Sequence, residues 1–255
     1  MKTFHFDKMP VKVFDTNQAL GEAAAADLGN ILRDQIAEYG QAAVIFATGN
    51  SQLSFFEALR QLEGIMWAKV TVFHMDEYLG MKASHPASFR RYLREKIVDF
   101  VHPENFFGIE GDTVNIEAEL ARYEDLLQDY HPVACVLGLG ENGHLAFNDP
   151  PADFKTKNDI QVVKLAESAR QQQVGEGHFA SLEDVPKQAI TLTIPTLLRP
   201  RHVLAVVPES RKANAVKAAL EGSVSPDCPA SILRLQDHVT LYLDRESASL
   251  IDLPG

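Results

Sequence analysis

Two adjacent carboxylates, Asp76 and Glu77, are residues whose type and position suggest chemistry. They follow the apolar, β-branched run 70–75, which is typical of a buried strand. A carboxylate at the end of a strand becomes a general base when burial raises its pKa. The same two residues also suit an ordinary turn. His74 is close by, but the spacing of His and Cys residues does not support a metal site, so we expect none here.

A glycine-rich segment, residues 138–150, is the richest candidate for catalysis. Its glycines let the backbone approach a ligand closely. His144 is the side chain in this segment that exchanges protons near neutral pH. Asn142 and Asp149 flank it and are placed to orient the ring. An isolated histidine is more often a packed or surface residue, but the glycines around His144 favour a catalytic role.

Two further segments have the features of an anion site. Thr48, Gly49, Asn50 and Ser51 join a predicted strand to a predicted helix, where backbone N–H groups and hydroxyls bind phosphate. An ordinary turn with Ser51 as the helix N-cap explains this segment equally well. Lys212 lies in the first turn of another predicted helix, where a cation opposes the helix dipole. That mild cost suggests an anionic ligand, although an isolated lysine is more often solvated.

Strands alternate with helices along the chain. The sequence predicts helices over residues 20–38, 53–62, 88–100, 116–130 and 213–220, and strands over 43–47, 70–75, 133–139, 202–207 and 239–243. Residues 189–194 fit either a strand or the start of a helix that Pro195 interrupts. Gly40 and Gly222 are placed to end the helices before them.

This order of elements predicts an α/β fold with a doubly wound, mostly parallel sheet flanked by helices, a Rossmann-like three-layer sandwich. One domain over residues 1–255 is the simplest organisation. Ligands bind at the carboxyl ends of the strands in such sheets, and each candidate segment follows a predicted strand. We therefore expect the segments to meet at one edge of the sheet.

Composition narrows the class of protein. Lys plus Arg number 24 and Asp plus Glu 35, which gives a net charge of −11 and argues against a nucleic-acid partner. A phosphorylated small molecule stays compatible, because a few local cations suffice to bind it. Cys135 and Cys228 are too few for a disulfide framework or a four-cysteine zinc site.

Localisation is predicted from what the sequence lacks. The apolar stretches are shorter than the ~18 residues of a membrane span, and residues 1–10 lack a signal-peptide core. We expect a cytoplasmic protein without membrane contact. Because the chain ends soon after the last predicted strand, we expect no C-terminal regulatory extension. The sequence leaves open whether the protein forms a homo-oligomer.

Residues 75–78 (Met-Asp-Glu-Tyr) and the whole of segment 138–150 resemble the glucosamine-6-phosphate deaminase family. That family shares its fold with 6-phosphogluconolactonase, and the likeness runs from about residue 43 to residue 243. It implies an aldose–ketose isomerisation coupled to deamination, in which a small phosphorylated amino sugar gives fructose 6-phosphate and ammonia. It implies no metal or organic cofactor.

The resemblance also implies roles for individual residues. Asp76 would move the proton between C2 and C1 of the sugar, and His144 would assist ring opening by proton transfer at the ring oxygen. Asn142 and Asp149 would orient and tune His144.

For the substrate's other end, the resemblance places residues 48–51 and Lys212 on the phosphate. It adds Glu77 and Arg170 as substrate-binding residues.

Several positions depart from the family pattern. Asp149 stands where Glu is usual, which pulls the carboxylate back by about 1.5 Å and loosens its contact with His144. Asn142 stands where some members have Asp, and residues 49–51 read Gly-Asn-Ser where Gly-Gly-Thr is typical. Segment 170–179 lacks a second, phosphate-binding Arg, for which His178 or a residue elsewhere substitutes. The identity of the sugar is therefore open.

Two other functions compete. A 6-phosphogluconolactonase of this fold typically carries Asp-Glu-Arg and Asp-Gly-His-Thr-Ala-Ser, whereas residues 76–78 are Asp-Glu-Tyr and residues 142–148 are Asn-Gly-His-Leu-Ala-Phe-Asn. Both strings favour the deaminase. A non-catalytic sugar-phosphate sensor is the other alternative, and the retained Asp76 and His144 argue against it.

Overall fold

The central element is a mostly parallel sheet, seen in a computed structural model that describes residues 1–252. Within these residues the sheet has eight strands, with the bounds β1 Lys2–Phe6, β2 Met9–Phe14, β3 Ala42–Phe46, β4 Val70–His74, β6 Asn105–Phe107, β7 Ala134–Leu137, β10 His202–Val207 and β11 Val239–Asp244. They join in the order β1-β2-β11-β10-β7-β3-β4-β6. Every neighbouring pair is parallel except β1 with β2.

Helices cover both faces of this sheet. Their bounds are α1 Asn17–Tyr39, α2 Leu53–Gln61, α3 Phe89–Leu93, α4 Asp99–Val101, α5 Ile116–Tyr130, α6 Glu167–Gly175, α7 Ile194–Leu197 and α8 Ala213–Glu221. A π-helical segment, Arg94–Val98, joins α3 to α4. No helix within residues 1–252 is long and apolar enough to cross a membrane.

Strand β3 shows why the sheet is doubly wound. It is an unbroken apolar run, and all five of its residues are buried. Val44 and Phe46 join the apolar cluster that contains α1 and α2, whereas Ala43 and Ile45 join the cluster that contains residues of α5 and α8. Because successive side chains of a strand point to opposite faces, a strand covered by helices on both sides must be apolar throughout. The predicted fold class is confirmed.

Several local details differ from the sequence-based predictions. The N-terminal hairpin β1–β2 was not predicted, since β1 is largely exposed and lacks an apolar run. Residues 188–192 form a strand, and Pro195 lies in the first turn of the helix that follows, where its missing N–H costs little. Gly40 ends α1 in the left-handed conformation, with φ of 79°. Gly222 ends α8 in an extended conformation instead, with φ of −74°.

A second, smaller sheet carries the chain into the site. Strands β5 (Asp76–Tyr78), β9 (Gln188–Leu192) and β8 (Ile160–Lys164) pair antiparallel in that order. Asp76 lies opposite Thr191, so its backbone is fixed two residues after the end of β4. The single-domain organisation of residues 1–255 stays a prediction, and residues 253–255 lie outside the described part of the chain.

Tyr123 of α5 ties the end of β4 to the helix layer. Its hydroxyl accepts a hydrogen bond from the His74 backbone N–H at 3.0 Å and donates to the His74 carbonyl at 2.7 Å. The His74 ring accepts a hydrogen bond from the Ile109 backbone N–H at 2.7 Å, and burial lowers the pKa of this imidazole to about 3. These contacts satisfy buried backbone groups at the point where the chain leaves the sheet toward Asp76.

Replacing Tyr123 with Phe tests this tie. The variant leaves the buried His74 N–H without a partner, so we expect the free energy of unfolding to fall by about 1–3 kcal/mol. Urea denaturation measures it. Tyr130→Phe is the matched control, since no hydrogen bond to the Tyr130 hydroxyl is found among residues 1–252, and it should change stability by less than about 0.5 kcal/mol. Equal losses in the two variants would contradict the assignment.

Candidate active site

The carboxyl ends of four neighbouring strands, β10, β7, β3 and β4, surround a cavity of about 80 Å³. Its polar lining consists of Thr48, Asn50, Ser51, Asp76, His144, Gln172, Gln173, Glu176 and Lys212, with Gly49 and Gly140 contributing backbone. The segments that follow separate strands in the sequence therefore do meet at one edge of the sheet. Two of the predicted substrate-binding residues, Glu77 and Arg170, do not line this cavity.

Asp76 presents a buried carboxylate to the cavity. The residue is 6% exposed, and its Oδ1 atom has no hydrogen-bond partner among the described residues. Burial, and secondarily the charge of Glu77, raises the pKa of Asp76 well above its ordinary value. A carboxylate in this state is a stronger base than one in water, and its unused oxygen is available to a ligand.

Glu77 turns away from the cavity and holds the start of α3. Its carboxylate accepts hydrogen bonds from the Ser88 hydroxyl at 2.7 Å and from the backbone N–H groups of Phe89 and Arg90 at 3.2 and 3.1 Å. The Arg90 guanidinium adds an ion pair at 3.4 Å. A carboxylate at a helix N-terminus satisfies N–H groups that the helix itself cannot. The structure therefore gives Glu77 a structural position rather than a place on a ligand.

Gly140 creates the space for His144. A Cβ atom on Gly140 would lie 2.3 Å from the His144 ring, a distance that no side chain tolerates. The backbone N–H of Gly140 also donates to the His144 carbonyl at 2.9 Å, which closes the loop tightly. Glycine is required here because the ring packs directly on the backbone.

Asn142, Asp149 and His144 form one polar cluster. The Asn142 side chain accepts a hydrogen bond from the His144 backbone N–H and donates to Asp149 Oδ1, each at 3.1 Å. His144 Nδ1 lies 3.3 Å from the same Oδ1, within ion-pair distance but not aligned as a hydrogen bond. The loose contact has the direction expected for Asp in place of the longer Glu.

The groups around Asp149 favour the ionised form of its carboxyl. Burial alone would raise the pKa of this carboxyl, but the contacts with His144 and Asn142 and a hydrogen bond from the Ala166 backbone N–H at 3.0 Å hold it below the ordinary value. Nδ1 of His144 faces this carboxylate, so the other ring nitrogen, Nε2, is the one left to contact a ligand in the cavity.

The turn from β3 to α2 brings Thr48, Gly49, Asn50 and Ser51 to the cavity. Gly49 has φ of 99° and ψ of 169°, a conformation that is essentially restricted to glycine. The Tyr92 hydroxyl donates to the Gly49 carbonyl at 2.7 Å, so that oxygen already has a partner within the protein. Backbone N–H groups at such a turn can receive an anion.

Lys212 supplies a cation to the same cavity. It is 3% exposed and ends the 3-10 turn Ser210–Lys212 that precedes α8. Burial lowers the pKa of its ammonium group. A lysine buried against a polar cavity is unlike a solvated surface lysine, which is the alternative that the sequence left open.

Arg170 is held elsewhere. Its guanidinium donates to the backbone carbonyls of Leu182 and Val185, so it fastens α6 to the segment that follows. Sequence reasoning missed two charged residues instead. Glu176 lines the cavity, and Arg211 Nη1 donates to Glu176 Oε1 at 2.6 Å. The position of Arg211 next to Lys212 was a signal that could have drawn attention to it.

Metal ligation is a separate question. Among residues 1–252, no three His, Cys, Asp or Glu side chains are grouped closely enough to hold a metal ion. The polar side chains of the cavity instead comprise two carboxylates, an imidazole, three amides, two hydroxyls and a lysine. The carboxylate of Asp76, the imidazole and the lysine suit proton transfer on an anionic ligand.

The fold and the cavity define an α/β protein that can perform acid–base chemistry on a small anion. A family model described as glucosamine-6-phosphate isomerases/6-phosphogluconolactonase matches residues 15–242, and the chain belongs to this family. The glucosamine-6-phosphate deaminase of Exiguobacterium sibiricum is 36% identical over 232 residues, which cover 89% of this chain and 90% of that protein. Glucosamine-6-phosphate deaminase 1 of Bacillus subtilis is 34% identical over 248 residues, covering 95% and 99%.

Solved structures agree with this placement. A monomeric glucosamine-6-phosphate deaminase superposes with a TM-score of 0.85 at 34% identity, over 94% of this chain and 99% of that one. A 6-phosphogluconolactonase from Shewanella baltica gives a TM-score of 0.77 at 20% identity, over the same shares of the two chains. At that identity the second likeness shows the fold alone.

The two adjacent carboxylates are expected to respond oppositely to loss of charge. Glu77→Gln weakens several hydrogen bonds to a buried carboxylate and removes its ion pair, so we expect the free energy of unfolding to drop by about 2–3 kcal/mol. Asp76→Asn removes an unpartnered buried charge and should leave stability unchanged or raised. Urea titrations at neutral pH make the comparison. A destabilised Asp76→Asn beside an unaffected Glu77→Gln would reverse the two roles.

The pKa of Asp76 also predicts a pH dependence. Because the native pKa lies above the unfolded one, the folded protein holds this proton more tightly, and that stabilisation is lost as pH rises from about 4 through the native pKa. The asparagine of Asp76→Asn does not titrate, so this variant does not lose stability in that way as pH rises. The stability of Asp76→Asn relative to the unmodified protein should therefore increase with pH in urea titrations between about pH 4 and 8. A constant difference would show that the native pKa of Asp76 is not raised.

Proposed function

We propose that this protein is an amino-sugar-phosphate deaminase that converts glucosamine 6-phosphate, or a close hexosamine 6-phosphate, to fructose 6-phosphate and ammonia. The single observation that carries the proposal is the cavity itself, where the buried carboxylate of Asp76, the His144 ring and the 48–51 turn converge. Relatives named for this activity match about nine-tenths or more of the chain.

Asp76 is the base in this proposal. Once the sugar ring is open, its carboxylate removes the proton from C2 and returns it to C1, which turns the C1 aldehyde into an alcohol and the C2 amine into an imine. Water then adds to the imine carbon, and the carbon–nitrogen bond breaks to release ammonia and leave the C2 ketone of fructose 6-phosphate. A raised pKa strengthens the carboxylate as a base, and its unpartnered Oδ1 leaves room for the proton.

His144 assists the opening of the sugar ring. Its Nε2 transfers a proton at the ring oxygen of the sugar. Asp149, beside Nδ1, stabilises the positive charge that the imidazole carries during that transfer. Asn142 holds Asp149 and the His144 backbone together. The loose contact between Asp149 and His144 makes this imidazole less tightly oriented than a well-aligned hydrogen bond would.

The phosphate lies at the other end of the cavity. The N–H groups and hydroxyls of residues 48–51 and the ammonium group of Lys212 receive it, so that the charged end of the substrate fixes the distance of C1 and C2 from Asp76. The substrate is in this view a small phosphorylated amino sugar, and we place the reaction in the cytoplasm. The reaction as proposed uses no metal or organic cofactor.

Ammonia release tests this proposal. The purified protein should produce ammonia and fructose 6-phosphate from glucosamine 6-phosphate, and Asp76→Asn should lower kcat by about 10²–10⁴-fold, the usual contribution of a general base. Asp153→Asn, which removes an exposed carboxylate, is the control and should keep full activity. A coupled fructose 6-phosphate assay with ammonia detection measures both products.

The proposal is wrong if the protein releases ammonia from neither glucosamine 6-phosphate nor galactosamine 6-phosphate. Hydrolysis of 6-phosphogluconolactone would then favour the lactonase. Tight sugar-phosphate binding without turnover, unchanged by Asp76→Asn, would favour the sensor.

A further inference from the structure

Glu176 places a second carboxylate in the cavity, at the end assigned to the phosphate. It follows α6, and its side chain is only 6% exposed. Lys212 and the 48–51 turn line the same cavity. A carboxylate in such a position is unexpected, because a phosphate dianion placed there meets a charge of its own sign.

The partners of Glu176 keep it ionised. Its Oε1 accepts hydrogen bonds from Arg211 Nη1 at 2.6 Å and from Gln172 Nε2 at 2.7 Å, and His178 Nε2 lies 3.4 Å from Oε2. Burial alone would raise the pKa of this carboxyl, but the contacts with His178 and Gln172 and the charges of Arg211 and Lys212 lower it to about 2.

The cations near the phosphate end are therefore already engaged. Arg211 is paired with Glu176 and also contacts Glu209 and Glu141, and the charge of Glu176 acts on Lys212 as well. A phosphate must therefore draw Arg211 away from Glu176, and it meets the negative charge of Glu176 when it approaches Lys212. Segment 170–179, which lacks a second, phosphate-binding Arg, thus contributes the negative charge of Glu176 instead.

The small size of the cavity also indicates that Glu176 obstructs the binding of a phosphate. At about 80 Å³ it is far smaller than the roughly 300–1,000 Å³ of ordinary ligand pockets. Glu176 and Gln172 form the wall between it and a neighbouring depression of about 480 Å³ that Arg211 and Glu141 line. Movement of the Glu176 side chain toward that depression would open the phosphate end and bring Arg211 into reach of an anion.

We infer that Glu176 limits the affinity of the site for the substrate phosphate, because it competes with the phosphate for Arg211 and places a like charge in the cavity that Lys212 lines. The inference deepens the proposed function and rests on it for the identity of the anion. Phosphate binding is weakened as a result, because the anion gains Arg211 only by displacing the Glu176 carboxylate. Removing the charge of Glu176, while keeping its shape, should strengthen phosphate binding.

Calorimetric titration with inorganic phosphate tests this inference without requiring turnover. We expect Glu176→Gln to bind phosphate about tenfold more tightly than the unmodified protein, a difference of roughly 1.4 kcal/mol. Glu141→Gln is the matched control: it removes a charge from the same Arg211, at 3.6 Å, but from a side chain that is 44% exposed. Its phosphate affinity should stay within about twofold, since water screens an exposed charge.

Two more variants keep the test decisive. Glu176→Ser also removes the charge and should tighten phosphate binding if Glu176→Gln fails to fold, whereas Glu176→Asp keeps the charge and should not. Unchanged or weaker phosphate binding in both uncharged variants overturns the inference, as does the absence of phosphate binding in every form. Failure of the proposed function is a separate result, namely no ammonia from any hexosamine 6-phosphate.

Discussion

The site depends on keeping the carboxylate of Asp76 largely buried, with its Oδ1 atom unpartnered among residues 1–252. Burial of an unpaired carboxylate is costly, so the surrounding elements must be firm enough to hold it. Tyr123 fixes the end of the preceding strand, and pairing with Thr191 fixes the backbone of Asp76 itself. Glu77, the next residue, uses its own carboxylate to anchor the following helix. Two adjacent acids thus have opposite tasks because their side chains leave the strand on opposite sides.

The positions of the other groups around this carboxylate depend more on backbone geometry than on side-chain length. Gly140 lets the His144 ring lie on the backbone, and Gly49 permits the turn that brings residues 48–51 to the cavity. Charge is then distributed around the cavity: Asp149 lies beside the imidazole, and Lys212 and Glu176 line the same cavity. An acidic protein can accept an anion there because cations are concentrated locally: Lys212 is buried and Arg211 is partly buried.

Long apolar runs made the architecture predictable. The run ending at Phe46 must be covered on both faces, and that requirement alone implies a doubly wound sheet. The antiparallel sheet through β5 was not predicted, because a three-residue strand carries no periodicity. The residues that follow strands, Asp76 and His144 among them, could be placed at the site for the same topological reason. Arg170 and Glu176 could not: whether a charged side chain on a short helix faces backbone carbonyls or a cavity depends on packing that no local pattern encodes.

The central claim is that Asp76 moves a proton between two carbon atoms of the sugar. Hydrogen exchange at carbon reports on that step directly. Fructose 6-phosphate incubated with the protein and ammonia in D₂O should gain deuterium at one of the two C1 positions, as read by proton NMR, because one base on one face of the substrate performs the transfer. Folded Asp76→Asn should show exchange slowed by about 10²-fold or more. Exchange at the same rate in both proteins would contradict the account.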